Sequence, residues 1–150
     1  MFCRPEHPLH SKRSVSLAKT LDFPWVASRI PLRLATQVLP AALGSAGAYD
    51  PVTGDFVPAI EIDVPMQIAQ FLENSNALAV GTLSTFEQEL LAGAVIPLPL
   101  HDPALYTRYG FIHLKERSLP PAVKANMQEV RTLEIEIRQK EHQLAKNYLN

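Results

Sequence analysis

One cysteine, six glycines and no long uninterrupted apolar run in 150 residues exclude several protein classes at the outset. A lone Cys3 rules out an internal disulfide framework and fits a reducing compartment. The opening stretch, Met1 to Arg13, has no apolar core of the secretory kind. The longest apolar run, Leu90 to Leu100, contains prolines and is too short to span a bilayer. Charge is scarce and balanced: 14 basic against 15 acidic residues, a net charge of -1. That is no electrostatic footprint for nucleic acid. No glycine-rich phosphate loop, internal repeat or low-complexity tract is present. A cytoplasmic globular chain without membrane contact is the expectation these absences leave.

Metal and nucleophile chemistry are equally thin. His7, His10, His101, His113 and His142 are dispersed without ligand spacing, and surface or strand positions are expected for them. Cys3 near His7 reads as a buried strand thiol rather than half of a catalytic dyad. Trp25 reads as core. No metal, no cofactor and no enzymatic activity are expected.

What the chain does have is proline, 13 of them, placed at the edges of short elements such as Pro8, Pro24, Pro31, Pro51, Pro65, Pro103 and Pro120. The organising stretch is Leu72 to Leu100. Ala77 to Val80 suits a strand buried on both faces. Ser84 and Glu87 form a capping-box pattern for a short helix that ends at Gly93, and Ala94 to Leu98 resumes an apolar run. Strand, helix and strand make a βαβ unit and predict a parallel sheet in an α/β fold.

Around that unit the chain reads as short elements. Met1 to Arg4 and Phe23 to Ala27 are strands, and a helix opens at Pro31 with Leu32, Leu34, Ala35, Val38 and Leu39 facing inward. Ser45 to Val57 is a loop of turn formers, and Ala59 to Val64 alternates as a half-exposed strand. Asp63 is placed to cap a helix over Val64 to Glu73 with Ile68, Phe71 and Leu72 buried. Tyr106 to Lys115 alternates as a strand. Ser118 then caps a long helix whose Val123, Met127, Val130, Ile137, Leu144 and Tyr148 share a face; Glu141 interrupts it, so tertiary packing rather than a free coiled coil is expected of this stripe. Glu134–Arg138 and Glu136–Lys140 are exposed pairs in the favourable order.

An ordered set of residues within this plan resembles the effector-binding domain of LysR-type transcriptional regulators. It comprises Arg4-Pro5-Glu6-His7-Pro8-Leu9, Phe23-Pro24-Trp25-Val26, Leu72-Glu73-Asn74-Ser75-Asn76-Ala77-Leu78-Ala79-Val80, Leu90-Leu91-Ala92-Gly93, Tyr109-Gly110 and Lys115-Glu116-Arg117-Ser118-Leu119-Pro120. The resemblance implies a fold like type 2 periplasmic binding proteins, two α/β subdomains joined by crossing strands around a cleft. Residues 1–108 would be a crossing strand and the second subdomain, and residues 109–150 the return strand and C-terminal helix. Most of the first subdomain and the helix-turn-helix would lie outside this sequence. Departures from the family pattern are Ser75-Asn76-Ala77 where many members carry Gly-x-Gly, Thr82 where a proline is common, and a helix running on to Asn150.

The function so implied is effector sensing and oligomerisation in a transcriptional regulator. A small, anionic molecule would bind in the cleft, the chain would form a homo-oligomer through this domain, and DNA would be reached only through the separate helix-turn-helix. Ser28 and Arg29 fall between a strand end and a helix start, where backbone N–H groups suit a carboxylate. The alternative for them is a solvated loop. Thr82 ends the central strand, as a ligand contact or as a hydroxyl bonding its own turn. Asp63 is a further effector candidate, with helix capping as its alternative. The rival functions are a stand-alone small-molecule-binding α/β module and a small α/β enzyme.

Overall fold

The structure, a computed structural model, describes residues 1–100, 102, 110–115 and 117–149. Thirteen elements, all short but the last, are described in chain order. They are β1 (Phe2–Cys3), α1 (Leu17–Thr20), β2 (Trp25–Ala27), α2 (Leu32–Val38), β3 (Gly47–Tyr49), β4 (Phe56–Pro58), β5 (Ile60–Glu61), α3 (Pro65–Glu73), β6 (Leu78–Ala79), a 3-10 turn (Ser84–Phe86), α4 (Glu87–Leu91), β7 (Ile96–Pro97) and α5 (Pro121–Tyr148). A five-stranded sheet has the order β5-β2-β6-β1-β7. β5, β2 and β6 are parallel, whereas β1 runs antiparallel between β6 and β7. The expected βαβ unit is present as β6, α4 and β7, but β1 separates its two strands. β1 can enter there because Phe2 and Cys3 are apolar, fully buried and need neighbours on both edges.

Period-2 alternation sends side chains to two cores. Phe2, Val26 and Ala79 point to one face, with Ile68, Leu72, Phe86 and Leu90 from α3, the 3-10 turn and α4. Cys3, Trp25 and Leu78 point to the other, with Ala35, Leu39, Phe56 and Leu98. The Phe2 and Phe86 rings lie 4.7 Å apart at 49°. Trp25 packs edge-on to Phe56, and its indole N–H donates to the Thr20 carbonyl at 3.0 Å. Cys3 is buried as expected, and burial pushes its thiol up to about 12.

Several expected details differ. Ser45 to Val57 is not only loop: β3 and β4 pair as a two-stranded hairpin around the Asp50–Asp55 turn. Leu32 and Phe71 are exposed and Leu34 half-buried, because α2 and α3 each cover the sheet with a narrower face than their apolar content allows. Val64, not Asp63, takes the cap position of α3, with no side-chain cap bond. Pro120 likewise replaces Ser118 ahead of α5. In each case a proline in the first turn removes one orphan N–H and needs no polar cap. Of the strand expected over Tyr106 to Lys115, residues 106–109 lie outside the described residues. Residues 110–115 form no strand, and Ile112 is 99% exposed. Alternation alone does not make a strand when no neighbouring edge takes up its backbone groups.

α5 is the largest departure. Only Leu144 of its apolar stripe is buried; Met127 and Tyr148 are half-buried, and Val123, Val130 and Ile137 are exposed. Its last turns pack on the first core through Leu144, Ala145, Tyr148 and Leu149. The Glu134–Arg138 pair forms as expected, while Lys140 pairs with Glu87 of α4 instead of Glu136.

His7 is buried, against expectation, and it joins β1 to the turn before β6. The Leu9 N–H donates to its Nδ1 at 3.1 Å, so the ring proton sits on Nε2, which donates to the Asn76 carbonyl at 3.1 Å. Arg4 donates to the Asn76 side-chain oxygen at 3.0 Å. Burial lowers the His7 pKa below its ordinary value of 6.5, opposed by the Asn76 bond and aided by Arg4. The fold therefore prefers neutral His7, and this contribution is complete above the unfolded value near 6.5. It declines as pH falls below that value toward the lower folded one. The urea midpoint should accordingly fall between pH 7.5 and pH 5, and His7→Gln should flatten that decline; an equally steep decline in the variant would assign it to other groups.

Candidate functional site

The register of the three parallel strands brings their C-terminal ends to one edge of the sheet. Val26 lies opposite both Ile60 and Ala79, and Ala27 opposite Glu61. The chain continues from these ends as Ser28-Arg29, Ile62-Asp63 and Val80-Gly81-Thr82. The Ile62 N–H still donates to the Ala27 carbonyl at 3.2 Å and the Val80 N–H to the Val26 carbonyl at 3.4 Å. Ser28, Arg29, Asp63 and Thr82 thus leave neighbouring strands on the same edge, and all four are exposed. Open α/β sheets bind ligands at such strand ends. No hydrogen bond or ion pair joins these four side chains to one another among the described residues.

Arg29 is held from two sides. Its Nε donates to Glu61 Oε1 at 3.3 Å and an Nη to Asp50 Oδ2 at 3.2 Å. The Glu61 hydrogen bond and charge, with Asp50 beyond them, raise its pKa and keep it cationic. A guanidinium has five N–H donors, so three remain beyond these two bonds. Asp50 is itself fixed: its Oδ1 accepts from the N–H groups of Val52 at 2.8 Å and Thr53 at 3.0 Å. These bonds, with Arg29, hold its carboxyl below the ordinary range. The sequence shows Asp50 and Glu61 only as turn and strand residues; their shared partner depends on hairpin β3–β4, which its polar, turn-forming residues concealed.

The anion-accepting helix start expected beside Arg29 is already used. Ile30 first pairs with Phe56 in an isolated bridge, with bonds of 2.9 and 2.8 Å, so α2 begins later, at Leu32. The Leu32 N–H then donates to Asp55 Oδ1 at 2.8 Å. Asp55 thus takes the place expected for an incoming carboxylate at this helix start. Asp63 is exposed and caps nothing.

Thr82 adopts its turn role. Its hydroxyl is bonded to Ser84 Oγ at 3.0 Å and Thr85 Oγ1 at 2.8 Å, and accepts from the Thr85 N–H at 3.3 Å. The expected capping box does not form here, because a remote residue supplies the acid. Glu141 of α5 accepts from the Leu83 N–H at 3.2 Å and the Ser84 N–H at 2.6 Å. Gly81 permits this turn: a Cβ there would meet a Phe86 ring carbon at 2.7 Å.

A family model described as LysR substrate binding domain matches residues 1–134. The chain belongs to that family. The LysR substrate binding domain has a fold like type 2 periplasmic binding proteins, and the mixed α/β sheet with a C-terminal helix is a form of it. It is a domain of transcriptional regulators rather than of enzymes. No curated protein and no solved structure matches the chain. Among the described residues, no helix is long and apolar enough to cross a membrane. A groove of 340 Å³, lined by Leu32, Thr36, Leu39, Ala41, Tyr49 and Gly54, lies between α2 and hairpin β3–β4 and includes none of the four strand-end residues.

The two acidic contacts near Ile30 have different consequences for stability. Asp55→Ala removes a helix cap and should lower unfolding stability by about 0.5–2 kcal/mol. Arg29→Ala breaks only exposed ion pairs and should leave the melting temperature nearly unchanged. Thermal unfolding of both variants at low and high salt checks this; a larger loss for Arg29→Ala would make its ion pairs structural.

Proposed function

We propose that this chain senses a small anionic effector at the joined ends of β2, β5 and β6, as the cytoplasmic effector-binding and oligomerisation part of a LysR-type transcriptional regulator. The carrying observation is the common edge at which Ser28, Arg29, Asp63 and Thr82 leave three adjacent parallel strands in a LysR substrate binding domain. Arg29 supports an anionic ligand: it is cationic, half-exposed and retains three donors for a carboxylate. Asp50 and Glu61 then act as positioning groups that aim the guanidinium. Ser28 contributes a hydroxyl beside it, Thr82 a hydroxyl on the neighbouring strand end, and Asp63 an acceptor for donors on the effector. In this reading residues 1–108 supply one cleft wall, residues 109–150 lead back across it, and DNA is contacted by a separate helix-turn-helix. Effector occupancy acts on transcription by shifting the balance of domain arrangements.

The test is a panel of small carboxylates with their neutral amides as controls, followed by thermal shift on the chain. A binder raises the melting temperature with concentration. Arg29→Ala should weaken a carboxylate hit by about tenfold to a hundredfold, the worth of one charge-assisted hydrogen bond. Leu39→Ala, a core truncation, should lower the unliganded melting temperature and leave that affinity alone. Equal affinity of wild type and Arg29→Ala for every hit would remove Arg29 from the site.

Oligomerisation has its support in α5. Val123, Val130 and Ile137 repeat at seven-residue intervals and are exposed, an apolar stripe of the kind that drives association. Sedimentation should show self-association of the chain that Val130→Glu with Ile137→Glu abolishes; a monomer at all concentrations would sink this part of the reading.

A further inference from the structure

Thr82 has no hydrogen-bonding capacity left for a ligand. A threonine hydroxyl offers one donor and two acceptor positions. Three contacts occupy them: the hydroxyls of Ser84 and Thr85, and the Thr85 N–H. For Thr82 to bind an effector it has to give up one of these contacts, and giving up the Thr85 N–H, the one backbone bond among them, opens the 82–85 turn. The turn is pinned from outside by α5, whose Glu141 takes the Leu83 and Ser84 N–H groups. Lys140, next to it, pairs with Glu87 at the start of α4, and Leu144, one turn on, is buried in the first core. Glu141 itself interrupts the apolar stripe, so packing does not explain an acid at this position.

We propose that Glu141 is an autoinhibitory lock: docked α5 holds the 82–85 turn in the conformation in which Thr82 satisfies itself, and an effector that uses Thr82 has to release Glu141. The inference rests on the reading of Thr82 as an effector contact and adds its regulation. The turn has two states. In one, the Leu83 and Ser84 amides face Glu141 and the Thr82 hydroxyl faces Ser84 and Thr85. In the other, α5 is undocked at Glu141 and the hydroxyl is free for a ligand. Coupling of this kind is reciprocal. Whatever opens the turn loosens α5, and whatever loosens α5 opens the turn. A connection of the effector edge to the helix carrying the exposed Val123, Val130 and Ile137 follows directly.

Amide hydrogen exchange on the whole chain tests the lock without any effector, so its failure leaves the effector reading standing, and a failed carboxylate panel leaves this coupling measurable. Glu141→Gln keeps the size and removes the charge. It should speed exchange about tenfold or more at Leu83 and Ser84, and also at Thr85, whose N–H is bonded to Thr82 and not to Glu141. Thr82→Val should in turn speed exchange across residues 141–148. The amides of Val26 and Ala79 in the sheet report that both variants are folded. If Glu141→Gln lost that protection, Glu141→Asp, which withdraws the carboxylate by one methylene, gives the same comparison. Unchanged Thr85 exchange in the folded Glu141 variant, or an unchanged α5 in Thr82→Val, would overturn the lock.

Discussion

Everything in this fold leans on the burial of β1. A two-residue strand in the middle of a sheet has bonded neighbours on both edges and a core on both faces. Phe2 fills the space beneath Phe86, and Cys3 closes the layer around Trp25 and Leu98. Removing it would leave β6 and β7 without a common neighbour and both cores open. The antiparallel direction of β1 also has a functional consequence. It ends the run of adjacent parallel strands at β6: the ends of β5, β2 and β6 lie side by side, while β7, which runs the same way, is set apart from them by β1. The candidate site is where it is because the sheet changes direction next to it. On the opposite side, the His7 and Arg4 contacts to Asn76 tie the entering chain to the start of β6. The same strand is therefore fixed at one end by β1 and leads to Thr82 at the other.

Charge at the site is organised by pairing rather than by accumulation. Arg29 meets Asp50 and Glu61, Asp55 meets the start of α2, and Glu141 meets the Leu83 and Ser84 amides. The exposed ion pairs of Arg29 contribute little to stability, unlike the Asp55 cap. Their value is positional, since each fixes a group that would otherwise wander. The near-zero net charge of the chain conceals this local order, because composition counts charges and says nothing of who faces whom.

The strands of the five-stranded sheet and the α/β class were legible because buried strands leave apolar runs and prolines mark their edges. Trp25 in the core, Cys3 as a buried thiol and the helix between β6 and β7 followed from those local signals. Caps were less legible. Prolines at the starts of α3 and α5 made Asp63 and Ser118 redundant, while Asp55 capped α2 from across a hairpin, far along the chain. The hairpin itself was hidden because β3 contains Gly47 and Ala48, which carry no strand pattern. The sequence leaves His7 only a surface or strand position, since nothing local shows that Leu9 and Asn76 satisfy both ring nitrogens. For the site, the strand ends and the turn role open to Thr82 could be read; the partners of Arg29, and the Glu141 that holds the turn after Thr82, could not, because they come from other elements.

Glu141 shows how such a residue can still leave a trace. The last turns of α5 pack through Leu144 and Tyr148, and a carboxylate on that same face is visible in the sequence as an interruption. Desolvating a carboxylate is costly unless hydrogen bonds replace its water. Two amides at the far end of the sheet supply them, and those amides are left over because the 3-10 turn at Ser84–Phe86 begins without a cap from its own segment. The turn, which lacks an acceptor of its own, is thus completed by an acid from a half-buried position of a distant helix. The position where they meet is one residue beyond Thr82, so the final turns of α5 cannot be described separately from the edge of the sheet where the effector is proposed to bind.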